Sequence, residues 1–248
     1  MASNAGSVFV DLGLNSAKFQ QGLQGAGKEL GKFGNAASSV GRSLSGAFAG
    51  IAAGLAASVS TAAIASAAGQ YVKLQNALRV TGLQGEALEK TFGTLFQIAQ
   101  RQGTAIEPLV GLYSKLSLSQ KELGVSGEQL QTFTEGIATA LKVGGTSAEQ
   151  AGGALLQLSQ ALGGSVVRAE EFNSVLEGAP TILQTVATGL TEAGGSVAKL
   201  RTLVIDGELS SKAFFNAFLA GMPQLAKQSK LAADTTDQGF ARVRNAFV

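Results

Sequence analysis

From Phe19 onward, apolar residues recur at alternating steps of four and three: Phe19, Leu23, Ala26, Leu30, Phe33, Ala37, Val40 and Leu44. This heptad spacing lines one side of a helix and predicts a seam for supercoiling. Asn15 offers an N-cap for a start at Ser16-Ala17-Lys18, so a helical arm is expected from Asn15 to about Gln70. After Leu44 the step of four repeats, to Phe48, and Ile51 and Leu55 follow. That extra four is a stutter, which locally unwinds a supercoil. Against the seam stand Gly22, Gly25, Gly27, Gly31, Gly34 and Gly41, each costing roughly 0.8–1 kcal/mol relative to Ala inside a helix. Alone, the arm should be poorly helical. Two supports compete: other copies packed along the seam, or the chain's own core.

Residues 43–72, between Arg42 and Lys73, carry no charge, a run longer than the ~20 residues that cross a bilayer. Ala, Gly and Ser dominate it, so insertion would be only weakly favourable. Gly46, Gly50 and Gly54 recur every fourth residue and form a small-residue ridge for close helix approach, opposite Leu44, Phe48, Ile51 and Leu55. Buried packing between helices and a conditional membrane role both remain open for this stretch.

Beyond Tyr71 the pattern changes to short amphipathic segments separated by Gly-containing turns, which predicts helices near 84–101, 107–122, 127–142, 147–162, 169–190 with a break near Pro180, 195–205 and 210–221. Ser126 with Gln129, and Thr146 with Glu149, read as capping boxes. Gly124 and Gly144-Gly145 stand where C-terminal caps are wanted. From Gln224 the helical period resumes through Leu225, Leu231, Phe240, Val243 and Phe247, then stops in mid-pattern, as expected if the natural product is longer. The architecture read from this is all-α: an extended N-terminal arm over 1–70, a compact multi-helix domain over 71–222, and the start of a further helix over 223–248.

Composition supports helices. Of the 248 residues 45% are hydrophobic but only 6% aromatic, so the apolar content is mostly small and aliphatic. The three prolines, Pro108, Pro180 and Pro223, leave the whole N-terminal part free of that breaker. Cys and His are both absent, so a disulfide is excluded and a zinc site would have to be built from carboxylates alone. The net charge of +2 divides unevenly: residues 1–80 hold six basic and two acidic side chains, and the remainder thirteen and fifteen. The basic residues are spread along the arm without interleaved aromatics, which favours solvated helix faces over a nucleic-acid groove. The first apolar stretch, SVFVDLGL, is short, lacks a preceding basic region and contains Asp11, so synthesis in the cytoplasm is expected.

The candidates for acid/base chemistry are Glu171 and Glu177. Six residues apart on a helix they point to different sides, a poor arrangement for sharing a glycosidic bond; caps and surface salt bridges are the expected roles. GGTSAEQAGG has glycines but neither the Lys nor the preceding strand of a phosphate-cradling loop. No enzymatic activity and no cofactor are expected. Near these acids, Phe172, Val175 and Leu176 fit a buried face, Glu170 and Glu171 suit the positive end of a helix, and Pro180 should force Ala179 out of helical geometry.

Several ordered motifs carry a resemblance. LQNALRVTGLQGEALEKTFGTLFQIAQRQGTAIEPLVGLYSKL at 74–116 resembles the opening of the tape-measure domain of phage tail proteins. At 119–187 the order of the LGVS turn, GTSAEQA, LQLSQALGG and RAEEFNSVLEGAP is similar to that family, and LRTLVIDGELSSKAFFNAF at 200–218 resembles its closing element. Arg168, Glu170, Glu171, Phe172, Asn173, Glu177 and Pro180 are the motif positions, with a structural role implied. The sequence departs at Ala169-Glu170, where the family often has Gly-Asp. The opening SVFVDLGLNSAKFQQGL resembles the short strand and helix with which such proteins begin.

The resemblance implies a scaffold in the tail-tube lumen that sets tail length during assembly and assists DNA passage through the host inner membrane. It implies contacts with the major tail or tube protein, tail-tip or baseplate proteins and tail assembly chaperones, with the inner membrane and passing DNA as conditional partners. Location would be the virion tail lumen, after the host cytoplasm during assembly. Self-association as a homotrimer through Phe19, Leu23, Leu30, Phe33, Val40 and Leu44 is expected from the seam. An arm of some 55 residues covers only about 80 Å at ~1.5 Å per residue, so most measuring length is expected from chain beyond Val248, or from a short tail. The rival reading is a secreted helical pore-forming or effector protein, which accounts for the uncharged run but not for the ordered motifs.

Overall fold

The computed structural model describes residues 61–246 and 248. The heptad seam, the Gly46-Gly50-Gly54 ridge and the N-terminal strand lie outside them, as does the uncharged run except for its last residues, which open the first helix. Eleven helices and no strand occur among the described residues, so the all-α expectation holds there. No helix among the described residues is long and apolar enough to cross a membrane.

Helix α1 spans Thr61–Arg79, and a turn with Gly82 at φ 90° leads to α2, Gly85–Gln102. Gly103, at φ 66°, ends α2 in the left-handed conformation that L-residues avoid. Helix α3 is Ile106–Leu118, and the one-turn α4, Gln120–Leu123, closes on Gly124. The single helix expected at 107–122 is therefore two, broken at Ser119, whose ψ of 13° takes it out of helical geometry. Helix α5, Gly127–Gly144, starts with the expected capping box between Ser126 and Gln129 and stops at Gly145. Helix α6, Ala148–Gly163, also has a capping box, but between Ser147 and Gln150, one residue beyond the expected Thr146 and Glu149. Both spacings satisfy the motif; Ser147, extended at ψ 159°, is the residue whose hydroxyl faces the free amide of Gln150.

Helices α7, Ala169–Gly178, and α8, Pro180–Gly189, are the two halves of the segment expected to break at Pro180. Helix α9 is Val197–Ile205, α10 is Ser211–Ser229 and α11 is Thr236–Asn245. The helix expected to stop at 221 instead runs through Pro223, which is exposed. An interior proline costs about 3 kcal/mol in an isolated helix. Here the turn beyond it is anchored by buried Leu225, so packing overrides the local penalty.

Helices α8 and α10 share the most extensive contact, with α5 against both; α6 joins α3 to α7, and α1 and α2 lie against α3. At the centre Phe133 of α5 stacks on Phe215 of α10, ring centroids 4.4 Å apart, and meets Phe218 at 4.9 Å. Around them Ile137, Ile182, Leu183 and Val186 are fully buried. At the other end Tyr71 of α1 meets Phe92 of α2 edge-on at 5.1 Å. These rings concentrate apolar burial in a chain otherwise poor in large side chains.

Candidate functional site

The motif segment begins where α6 ends. Gly164 is extended, and Val166 makes an isolated antiparallel bridge with Ser210. The Val167 N–H donates to the Leu209 carbonyl at 3.0 Å and the Ser211 N–H to that of Ser165 at 3.1 Å. The buried Ser211 hydroxyl donates to the Ala161 carbonyl at 2.7 Å, while Ser210 Oγ accepts from the Ala213 N–H at 3.1 Å. Two adjacent serines thus serve opposite helix ends, one the free carbonyls of α6 and the other the free amides of α10.

Arg168 is the exposed N-cap residue of α7, with no capping bond from its side chain. Glu170 and Glu171 follow in the first turn, where the helix dipole favours carboxylates. Phe172 and Val175 are buried, Leu176 and Asn173 half-buried, and Glu177 is exposed. Ala179, at φ −152° and ψ 64°, is the expected non-helical residue, and the exposed Pro180 opens α8 at a position where a missing N–H costs nothing. The expectation of salt bridges at Glu171 and Glu177 is not met: the ion pairs among the described residues are Arg101–Glu135, Lys142–Asp234 and Arg242–Asp234. Glu171 instead turns one carboxylate oxygen into the protein, where it has no hydrogen-bond partner.

Beyond Pro180 the backbones come unusually close. A Cβ on Gly189 of α8 would lie 1.9 Å from the Ala217 carbonyl oxygen, and one on Gly221 of α10 would lie 2.1 Å from that of Thr185. Two glycines facing each other's helices therefore set how near α8 and α10 pack. A third, Gly136 of α5, leaves room for Phe218, whose ring would lie 2.8 Å from an added Cβ. Sequence reasoning missed this crossing, because two glycines 32 residues apart give no local signal of facing each other.

It also missed the way α11 is held. Its N-terminal box, Thr235 with Gln238, is legible in the sequence, yet of the apolar positions on the expected helical period Leu225, in α10, is buried while Leu231, ahead of α11, and Phe240 and Val243 within it are exposed. The inward residues are Gln238, Ala241 and Asn245. Asp234 bridges Lys142 at 3.1 Å and Arg242 at 3.0 Å, and those hydrogen bonds hold its carboxyl below the usual value. At the α1–α2 end, burial, and then the nearby Glu89 carboxylate, push the Tyr71 hydroxyl up to about 12.

The arrangement is a packing scaffold: helix ends capped by serines, backbones brought together at glycines, and no group of three acidic, His or Cys residues placed to hold a metal among the described residues. A profile of the tape measure protein family matches residues 62–248. The chain belongs to the tape measure protein family. That match begins before and ends after the motifs at 74–218 that carry the resemblance. No curated protein and no solved structure is significantly similar to the chain. As a tape measure protein the chain is a structural component of the phage tail, and it works among other tail components.

Proposed function

We propose that the chain sets tail length from within the tail-tube lumen, tube subunits polymerising around it until its end is reached. The observation that carries this is the family match across residues 62–248, a span that folds as helices alone where described. A rod of helix is suited to measuring, because length rises by about 1.5 Å for each residue. In this reading the compact unit is an anchor and the heptad-bearing segment before it contributes length. Three copies associate through Phe19, Leu23, Leu30, Phe33, Val40 and Leu44. The outer face meets the tube protein, and the ends meet tail-tip or baseplate proteins, with assembly chaperones on the chain before it is enclosed in the host cytoplasm.

The test is in-frame deletion of whole heptads between Asn15 and Leu44, with tails measured by electron microscopy. Shortening in proportion to the residues removed, about 1.5 Å each, is expected; tails of unchanged length refute a measuring role for this segment. Chemical cross-linking of particles should yield a trimer and contacts to tube and tip proteins.

The uncharged residues 43–72 carry the second part of the proposal, help for DNA at the host inner membrane. A peptide of these residues should release dye from liposomes, and its Gly50→Asp form should release less. Equal leakage, or none from either, removes this part and leaves the ruler intact.

A further inference from the structure

We infer that α11 is a releasable latch, held to the rest of the compact unit by hydrogen bonds and scarcely at all by apolar burial. Its inward stripe is Gln238, Ala241 and Asn245, at 2%, 5% and 1% exposure, while Phe240 at 68% and Val243 at 46% face outward. Amphipathic helices ordinarily dock the other way round.

The contacts are directed at helix ends. Asn245 Nδ2 donates to the Thr104 carbonyl at 2.7 Å, just past the end of α2, and its Oδ1 accepts from the Ile106 N–H at 3.2 Å, the first amide of α3. Arg242 Nε donates to the Gln100 carbonyl at 2.9 Å, and the Gln100 side chain donates back to the Arg242 carbonyl at 3.2 Å. Gln238 Nε2 donates to the Lys142 carbonyl at 3.1 Å, in the last turn of α5. Helix α11 therefore supplies partners at the ends of α2 and α3, and a second donor to the Lys142 carbonyl, which already accepts from the Gly145 N–H at 3.1 Å.

Water can supply the same partners. A hydrogen bond exchanged for one to solvent shifts the balance by only about tenfold or less, whereas buried apolar surface has no substitute in water. Ala241 is the one apolar residue α11 buries, and Phe240 and Val243 are already wet while the helix is docked. The exposed linker, Lys230 to Thr235, leaves α11 free to move away. Asp234, half-exposed between Lys142 and Arg242, adds an attraction that salt screens. The helix thus opens as a unit of its own while the α5–α8–α10 core stays folded. This holds whatever the chain does in a tail.

The chain has no cysteine, so a single introduced thiol reports opening in the full-length protein. Ala241→Cys, beneath the latch, should react with a thiol reagent at least about tenfold faster than Ala187→Cys in α8, at a rate insensitive to low urea. Adding Asn245→Ala should raise the first rate about tenfold further and leave the second unchanged. Hydrogen exchange of the unsubstituted chain makes the same comparison without any variant: amides of residues 240–245 should open with little urea dependence, those of α8 with the full dependence of global unfolding. Equal rates and equal urea slopes for the two helices, by either method, overturn the latch.

Discussion

Replacing Gly221 by Ala adds one methyl group and sets two effects against each other. In an exposed helix interior the change would stabilise by roughly 0.8–1 kcal/mol, because glycine is the more costly residue to order. At this position the new Cβ meets the Thr185 carbonyl oxygen at 2.1 Å, where ordinary contact begins at 3.4 Å, so α8 and α10 must separate by about 1.3 Å. The obstacle is backbone, which cannot turn aside as a side chain can. A gap of 0.5–1 Å already forfeits a quarter to a half of the dispersion energy between facing atoms, and this interface holds Phe215, Phe218, Ile182 and Val186. Overpacking costs of about 3 kcal/mol or more are appropriate here, which leaves a net loss of at least about 2 kcal/mol. Melting of the full chain followed by circular dichroism should show Gly221→Ala lowered by at least about 4 °C. Gly93→Ala in α2, where an added Cβ meets nothing within 4 Å, should rise by a few degrees. A Gly221→Ala protein as stable as the original would refute the claim that contact between backbones sets this crossing.

Three further outcomes are expected. Ser147→Ala should lower stability by about 1 kcal/mol in urea unfolding, and Thr146→Ala by much less, since Ser147 is the residue that caps α6; the reverse order would favour the Thr146 box. Absorbance titration should find Tyr71 ionising near pH 12 and nearer its ordinary value in Glu89→Gln, provided the fold survives. Because its folded value is raised, Tyr71 contributes stability that is complete below pH 10 and is lost as pH climbs to about 12. Asp234 has the opposite sign: its lowered value favours docking of α11 at neutral pH, and this contribution disappears as pH falls from 3.8 through the folded value. The protection of α11 amides, taken relative to the intrinsic exchange rate at each pH, should therefore fall in that acid window, and the dependence should be absent in Asp234→Asn.

The motif region shows where reading by residue type succeeds and where it stops. Phe172 and Val175 were placed inside by helical period, and Ala179 out of the helix by the proline after it, because both signals act over a single turn. Glu171 and Glu177 were expected to find basic partners, and they have none among the described residues, since no cation from another helix is brought to them. The seven motif positions share the α7–α8 segment by sequence proximity alone; what they pack against comes from α6 and α10, at separations that no local pattern spans.

The chain by itself determined that the described part is helical, roughly where helices start and stop, and that Gly124 and Gly145 close helices at positive φ. Those are decided by hydrogen bonds and sterics within about four residues. Tertiary structure alone decided that α8 and α10 touch at Gly189 and Gly221, that a helix continues through Pro223, and that α11 turns its polar stripe inward. Each outcome depends on a partner far away in the chain, such as Thr104 for Asn245 or Lys142 for Gln238. Whether an amide on a helix faces water or a free carbonyl is fixed only when another helix end has been brought opposite it.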